Sequence, residues 1–212
     1  DATIDVTNTR FVANADVGVQ ATGAVGLTVD QSTFAEHDVG VLIAGTSTGS
    51  ITNNAFEIHE VGVQAGAEAS VEVRGNTIRG SAAAGINFAD DSTGVVADNE
   101  LTDAPEVAIQ VIGAGTPEIS GNTISTEGNV GISTLDDATP SISDNEIRDR
   151  LVGVQAGGTS EPAIVGNTVT TPGGVGISVL EESSAIVSGN EIGNRDIGIQ
   201  VSGAASPSVV DN

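Results

Sequence analysis

The chain contains no cysteine, lysine, methionine, tryptophan or tyrosine. Without cysteine there is no disulfide framework and no thiolate metal site. Without lysine, six arginines (Arg10, Arg74, Arg79, Arg148, Arg150, Arg195) carry all the positive charge against 29 Asp and Glu, a net charge of −23. Phosphate contacts need a basic patch, so the composition excludes a nucleic-acid partner and disfavours anionic membrane surfaces. Carbohydrate sites usually offer an aromatic platform, and the only aromatic rings besides two histidines are Phe11, Phe34, Phe56 and Phe88. No apolar run is long enough to span a membrane, and no signal-peptide pattern opens the chain. Neither a lysine-bearing phosphate loop nor a nucleophile elbow occurs. Nowhere does an apolar face persist at helical spacing.

What the chain has instead is a period. Thr9, Ser32, Asn54, Asn76, Asn99, Asn122, Asn145, Asn167, Asn190 and Asn212 follow one another at 22 or 23 residues. An apolar residue stands three before each rung (Ile51, Val73, Val96) and another two after (Phe56, Ile78, Leu101). A second ladder, Gly18, Gly40, Gly62, Gly85, Ala108, Gly131, Gly153, Gly176 and Gly198, keeps the same step. The residues around it alternate with period two, as in Val17-Gly18-Val19, which is strand patterning. A fixed period of this size marks a stacked-repeat architecture. Each unit reads as two or three short strands that bury their apolar sides only when stacked. About nine and a half coils at about 4.8 Å per strand make a rod of roughly 45 Å. We expect one all-β solenoid domain over residues 1–212. Asn tolerates left-handed backbone, which would suit it to a sharp bend, and stacked amides can satisfy one another in a buried row. The Gly ladder predicts another bend or a close backbone approach.

A finer alternation doubles the period. Gln20, Gln64, Gln110, Gln155 and Gln200 fall on every other coil, with Leu42, Asn87, Ser133 and Ser178 between. Thr77, Thr123 and Thr168 interleave with Glu100, Glu146 and Glu191 after the Asn rung. The pairs Asp90-Asp91, Asp136-Asp137 and Glu181-Glu182 also recur on every second coil. Equivalent carboxylates on adjacent coils would lie about 5 Å apart and repel; alternate placement doubles the distance. The array reads as a spaced solvated face or as a row of Ca²⁺ sites.

The acidity also bears on habitat. In about 1 M salt the Debye length is about 3 Å, so like charges hardly interact; in dilute buffer the same charge weakens the folded state. High acidity, absent lysine and abundant Ala, Gly and Val resemble the proteins of halophilic archaea. A calcium-loaded extracellular protein would carry excess carboxylates too, but no calcium nonapeptide or helix-loop-helix calcium motif occurs.

One cluster mixes chemistries. His37 and His59 each stand three residues before a Gly rung, which predicts that they stack on adjacent coils. Asp38 and Glu60 follow them. Two imidazoles with neighbouring carboxylates suit Zn²⁺ or Cu²⁺, or a general acid and base. The plainer alternative is a turn whose polar residues face water, since alternation sends His37 and Asp38 to opposite sides.

Segments such as Pro140–Ile147 (PSISDNEI) and Gly176–Val179 (GISV) resemble coils of right-handed parallel β-helix proteins. They are most similar to the carbohydrate-binding and sugar-hydrolase branch of the pectate-lyase-like superfamily, which includes periplasmic copper-processing proteins of nitrous-oxide reductase maturation. The resemblance implies three parallel sheets per coil and an inward Asn ladder at one turn. It implies no catalytic residues here: the basic group of pectate lyases and the Asp–His–basic group of polygalacturonases have no evident match. Coil length hardly varies, so no loops are set aside for a cleft. We therefore expect an extracellular or cell-surface structural or binding module adapted to high salt, with a polysaccharide or cell-surface partner. A polysaccharide-degrading domain and a metal-handling module using His37 and His59 are the alternatives. No capping helix protects either end, so the segment is expected to be part of a longer chain or to associate end to end.

Overall fold

Each coil bends three times. At the bends among the described residues one residue adopts a left-handed backbone, except at Gly173 and Gly174, where two in succession do. The computed structural model describes residues 2–170 and 173–212; Asp1, where the expected domain begins, and Thr171 and Pro172 lie outside the described residues. At the first bend the left-handed residues include Gln31, Asn53, Gly75 and Asp98, at the second Glu36, Ile58, Gly80 and Asp103, and at the third Gly45, Ala67, Asp90 and Gly113. Such a backbone costs an L-residue about 1–2 kcal/mol, less for Asn and Asp, which is why Gly, Asn and Asp crowd these positions.

The left-handed residue at the first bend is the one before the ladder Asn, not the Asn itself. This corrects the expected reason for the ladder. The rungs from Asn54 to Asn190 turn inward and are at most 3% exposed. From Asn76 onward each Oδ1 accepts two hydrogen bonds from the preceding coil, and Asn54 Oδ1 accepts one, from the Ser32 N–H. Asn122 Oδ1, for example, accepts from the N–H of Asn99 at 3.1 Å and from its Nδ2 at 2.9 Å. Each Nδ2 also donates to a backbone carbonyl of the coil before, as Asn122 does to Val96 at 2.8 Å. Burial without partners would cost about 1–3 kcal/mol per group; the stack leaves none unpaired on these amides.

Between bends run three strands per coil, all paired in parallel with their equivalents one coil away. The first face is a ten-stranded sheet from Ala2–Thr7 to Ser208–Val210. The second face starts at Arg10–Val12 and the third at Val17–Gly23. In three coils the strands Thr33–Gly45, Ala55–Ala65 and Thr77–Asp90 pass unbroken through the second bend. Hydrogen bonding thus joins the second and third faces into one 15-stranded sheet. Three faces are present, as the resemblance implies, but two hydrogen-bonded sheets, because a bend of one left-handed residue need not break the ladder.

Inward columns fill the interior. Val29, Ile51 and Val73 stack on the first face, Phe34, Phe56 and Ile78 on the second, and Val41, Val63 and Ile86 on the third, each at most 1% exposed. Phe11, Phe34 and Phe56 stack at 4.9 Å with nearly parallel rings. Burying each such side chain stabilises by about 1.5–3 kcal/mol. Small residues, among them Ser47, Ala69, Ser92, Ala138, Ser160 and Ser183, line the inside of the third bend. That column repeats at the same step in the sequence, and its size is set by the tight approach of strands there.

The Gly ladder proves to be the close approach and not a bend. None of its glycines has positive φ. A Cβ on Gly40 would lie 2.5 Å from the Gly62 carbonyl oxygen and 2.7 Å from the Phe56 ring. The flanking valines pair in even register while the glycines are skipped, as in Val17↔Val39 and Val19↔Val41. The carboxylate alternation also reaches the surface as expected: Glu100 lies between Thr77 and Thr123, and Glu146 between Thr123 and Thr168.

Candidate functional site

Four features outside the apolar core carry chemistry. Three follow the bends and one is the outside of the third face.

The histidines lie at the second bend. His37 and His59 pair in register, their rings 5.4 Å apart and 21° from parallel. They are 4% and 3% exposed, so they face the interior and not water. Each packs edge-on to the Phe of its own coil, Phe34 and Phe56. Asp38 and Glu60 are exposed, on the opposite side of the chain. The structure thus brings the two imidazoles together and leaves the two carboxylates outside. Among the described residues, no three His, Asp or Glu gather closely enough to hold a metal ion. Three of the four ring nitrogens have protein partners. His37 Nδ1 meets the Asn14 backbone at 2.9–3.1 Å, and His59 Nδ1 and Nε2 face the carbonyls of His37 and Phe34 at 3.3 and 3.2 Å. His37 Nε2 has none. Burial pushes the His59 pKa below its ordinary value, against the two carbonyls that favour the charged ring.

The same column holds a second surprise. Arg150 and Arg195 also stand three residues before a Gly rung, at Gly153 and Gly198. This spacing was available in the sequence, where these arginines look scattered. Arg150 is 1% exposed. Its guanidinium donates to the carbonyls of Ala104 and Ser125, and Arg195 donates to those of Arg150 and Gly173. Burial lowers the pKa of both. The column therefore runs His37, His59, Ser81, Ala104 and onward to Arg150 and Arg195, with the side chain chosen to fill the bend. Beside Arg150 lies an open depression of about 530 Å³, lined by Glu127, Asn129, Asp149 and Leu151 among others.

The third bend carries the acidic pairs. Asp136, Asp137, Glu181 and Glu182 border a shallow groove of about 720 Å³, with Gly158 and Thr159 between them. Asp136 and Glu181 are left-handed, as are Gly113 and Gly158 on the intervening coils. The acidic alternation is thus also an alternation of acid and Gly at one strained position.

The outside of the third face is unlike the rest of the surface. Its outward columns from Val17 to Ile197 and from Gln20 to Gln200 run in continuous register. Segments 17–22, 39–44, 61–66, 84–89, 107–112, 130–135, 152–157, 175–180 and 197–202 contain no charged residue and no histidine. The first and second faces do carry charge, as at Glu72, Arg74, Glu100 and Arg148.

This geometry defines the class: a parallel β-solenoid with regular coils and smooth faces. The chain matches the family described as "Right handed beta helix region" over residues 1–124 and again over 61–212, and it belongs to that family. No curated protein sequence matches it. Among solved structures it is similar to the periplasmic alginate epimerase AlgG. The identity is 12% and the TM-score 0.66, over 89% of this chain and 61% of that one. It is likewise similar to a double mutant of AlgG, at 12% identity and TM-score 0.69, over 97% of this chain and 69% of that one. At this identity the likeness is one of fold, and the chain spans about 61% of the first structure's length.

Proposed function

We propose that this chain is an extracellular or cell-surface β-helix module that binds along a polysaccharide and acts as a structural element, adapted to concentrated salt. The observation that carries this reading is the constancy of the coil. From Ser32 to Asn212 the Asn rungs never depart from 22 or 23 residues, so no inserted loop builds a cleft around a single sugar. A smooth rod offers a long flat face, which suits a polymer better than a small molecule. The fold shared with a periplasmic alginate epimerase supports a polysaccharide partner and a place outside the cytoplasm. The acidic surface supports work in salt, where the repulsion is screened.

Binding to a panel of neutral and acidic polysaccharides, measured by co-sedimentation and calorimetry in molar NaCl, tests the reading. Retention by at least one polysaccharide is expected; retention by none overturns it. Release of sugar products from any of them would replace the structural role with an enzymatic one. Melting in dilute and in molar NaCl tests the salt adaptation, and a melting temperature that fails to rise with salt would remove it. The metal reading of His37 and His59 has less support, because only His37 Nε2 lacks a protein partner.

A further inference from the structure

From the charge pattern we infer that the third face takes one kind of polysaccharide: a linear, extended, uncharged one, lying parallel to the rod axis. This rests on the polysaccharide reading above and narrows it.

The strip is long and regular. From Val17 to Ile197 it climbs eight coils, roughly 40 Å at the spacing of paired strands. Along its middle run the side-chain amides of Gln64, Gln110 and Gln155, half-buried and outward. Successive Gln amides are two coils apart, about 10 Å; on the coils between stand the shorter amide of Asn87 and the hydroxyl of Ser133. An extended chain in which alternate sugars face opposite ways presents the same edge at each second sugar, so long and short polar side chains alternating from coil to coil suit it. Beside the amides, the Val17, Val39 and Val61 column gives a partly exposed aliphatic edge, against which the apolar face of a sugar ring can lie.

Both borders of the strip are acidic. On the side of the second bend stand Asp16, Asp38, Glu60 and Glu106, all exposed. On the side of the third bend stand the exposed pairs Asp90-Asp91, Asp136-Asp137 and Glu181-Glu182. Carboxylates accept hydrogen bonds and donate none, so sugar hydroxyls that reach a border can donate to it, while a chain seated on the Gln amides accepts from them. A polymer bearing its own carboxylates finds no basic side chain on the strip to pair with, a deficit that salt does not remove, and in dilute salt it also meets repulsion from both sides. A second copy of this chain, laid face to face, would set acidic border against acidic border. The charge pattern therefore selects a neutral polyhydroxyl chain over a uronate and over self-association.

The test compares soluble glucomannan and microcrystalline cellulose with alginate and pectate, in molar NaCl, with and without added calcium. Glucomannan or cellulose is expected to bind, and alginate and pectate to bind at least about tenfold more weakly. Gln110→Ala/Gln155→Ala should weaken neutral binding roughly tenfold, two hydrogen bonds being removed, while Thr28→Ala/Thr168→Ala on the other faces leaves it unchanged. Circular dichroism verifies folding, and the polysaccharide ranking of the unaltered protein decides the question even if a variant does not fold. Binding confined to alginate or pectate, with or without calcium, would overturn the inference and leave the polysaccharide reading standing. So would equal loss in both double variants, or a dimer by light scattering that the Gln variant dissolves. Failure to bind any of the four would remove the inference, and failure across the whole panel would remove the polysaccharide reading as well.

Discussion

Asn99 gives two hydrogen bonds to a single atom of Asn122: its backbone N–H at 3.1 Å and its Nδ2 at 2.9 Å both reach Oδ1. The same arrangement repeats from Asn54 to Asn190, and Ser32 begins it by receiving the N–H of Thr9 at 3.1 Å. Replacing Asn122 with Leu removes the acceptor for both donors and the donor to Val96. About 3–5 kcal/mol should be lost, given about 1–3 for each buried group left unpaired, and the melting temperature should drop by roughly 6–20 °C. Asn122→Ser, which keeps an acceptor as Ser32 does, should recover part of that loss. Equal melting of the Leu and Ser variants would show that the ladder contributes by shape and not by hydrogen bonding.

Two rungs of the Gly ladder should respond differently to the same substitution. A Cβ on Gly153 would lie 2.3 Å from Val169 Cγ1 and 2.5 Å from the Gly176 carbonyl oxygen, whereas a Cβ on Gly198 meets nothing within 4 Å. Gly153→Ala should destabilise by about 1–3 kcal/mol, as overpacking does. Gly198→Ala should stay within about 0.5 kcal/mol of the parent. Denaturant melts of the two variants read this directly.

His59 links stability to pH. Burial holds its pKa below the ordinary 6.5, so the unfolded chain binds a proton that the folded one refuses. Above the ordinary value both states are neutral and the group contributes nothing. As pH falls through 6.5 toward the folded value, stability is lost. His59→Ser, which copies Ser81 one coil on, should flatten this part of the profile while the carboxylate titrations common to both proteins stay. Parallel profiles for parent and variant would contradict the assignment.

Ile58 is the least suitable residue at its bend. It has φ of +58°, is β-branched and is 66% exposed. Its equivalents include Gly80, Asp103 and Asn194, all better suited to that backbone. Ile58→Asn gives up little packing and should raise stability by about 1 kcal/mol. Thermal melting at fixed salt measures it, and a destabilised Ile58→Asn would mean that the exposed side chain makes a contact worth more than the strain.

Much of the fold was legible because the chain states it ten times. The inward columns of Val29, Phe34 and Val41, the amide ladder and the spaced Glu100 and Glu146 all follow from period and alternation. The reason for the Asn ladder was not legible. Tolerance of left-handed backbone pointed to the Asn, whereas the structure puts that strain one residue earlier, on Gln31, Asn53 or Asp98, and uses the amide for bonding. Two hydrogen-bonded sheets in place of three were also hidden, since a one-residue bend leaves no gap in the pattern of Thr33–Gly45.

The candidate sites are less legible in the sequence. His37 and His59 were placed correctly on adjacent coils, but not their inward direction, and Arg150 and Arg195 were missed although their spacing to Gly153 and Gly198 is the same. Polarity suggested water, and the bend overruled it by surrounding each side chain with backbone carbonyls.

By itself, then, the sequence determined the stack: repeated spacing sets which residues must lie above one another, and alternation sets which of them face inward between bends. What only the tertiary structure decided is what happens at the bends and across coils. There a single left-handed residue shifts the alternation, so whether a His, an Arg or an Asn points in or out depends on backbone turned in three dimensions. The uncharged strip of the third face belongs to both. Its composition was in the sequence throughout, but only the winding of the coil set its nine short segments side by side between two acidic borders.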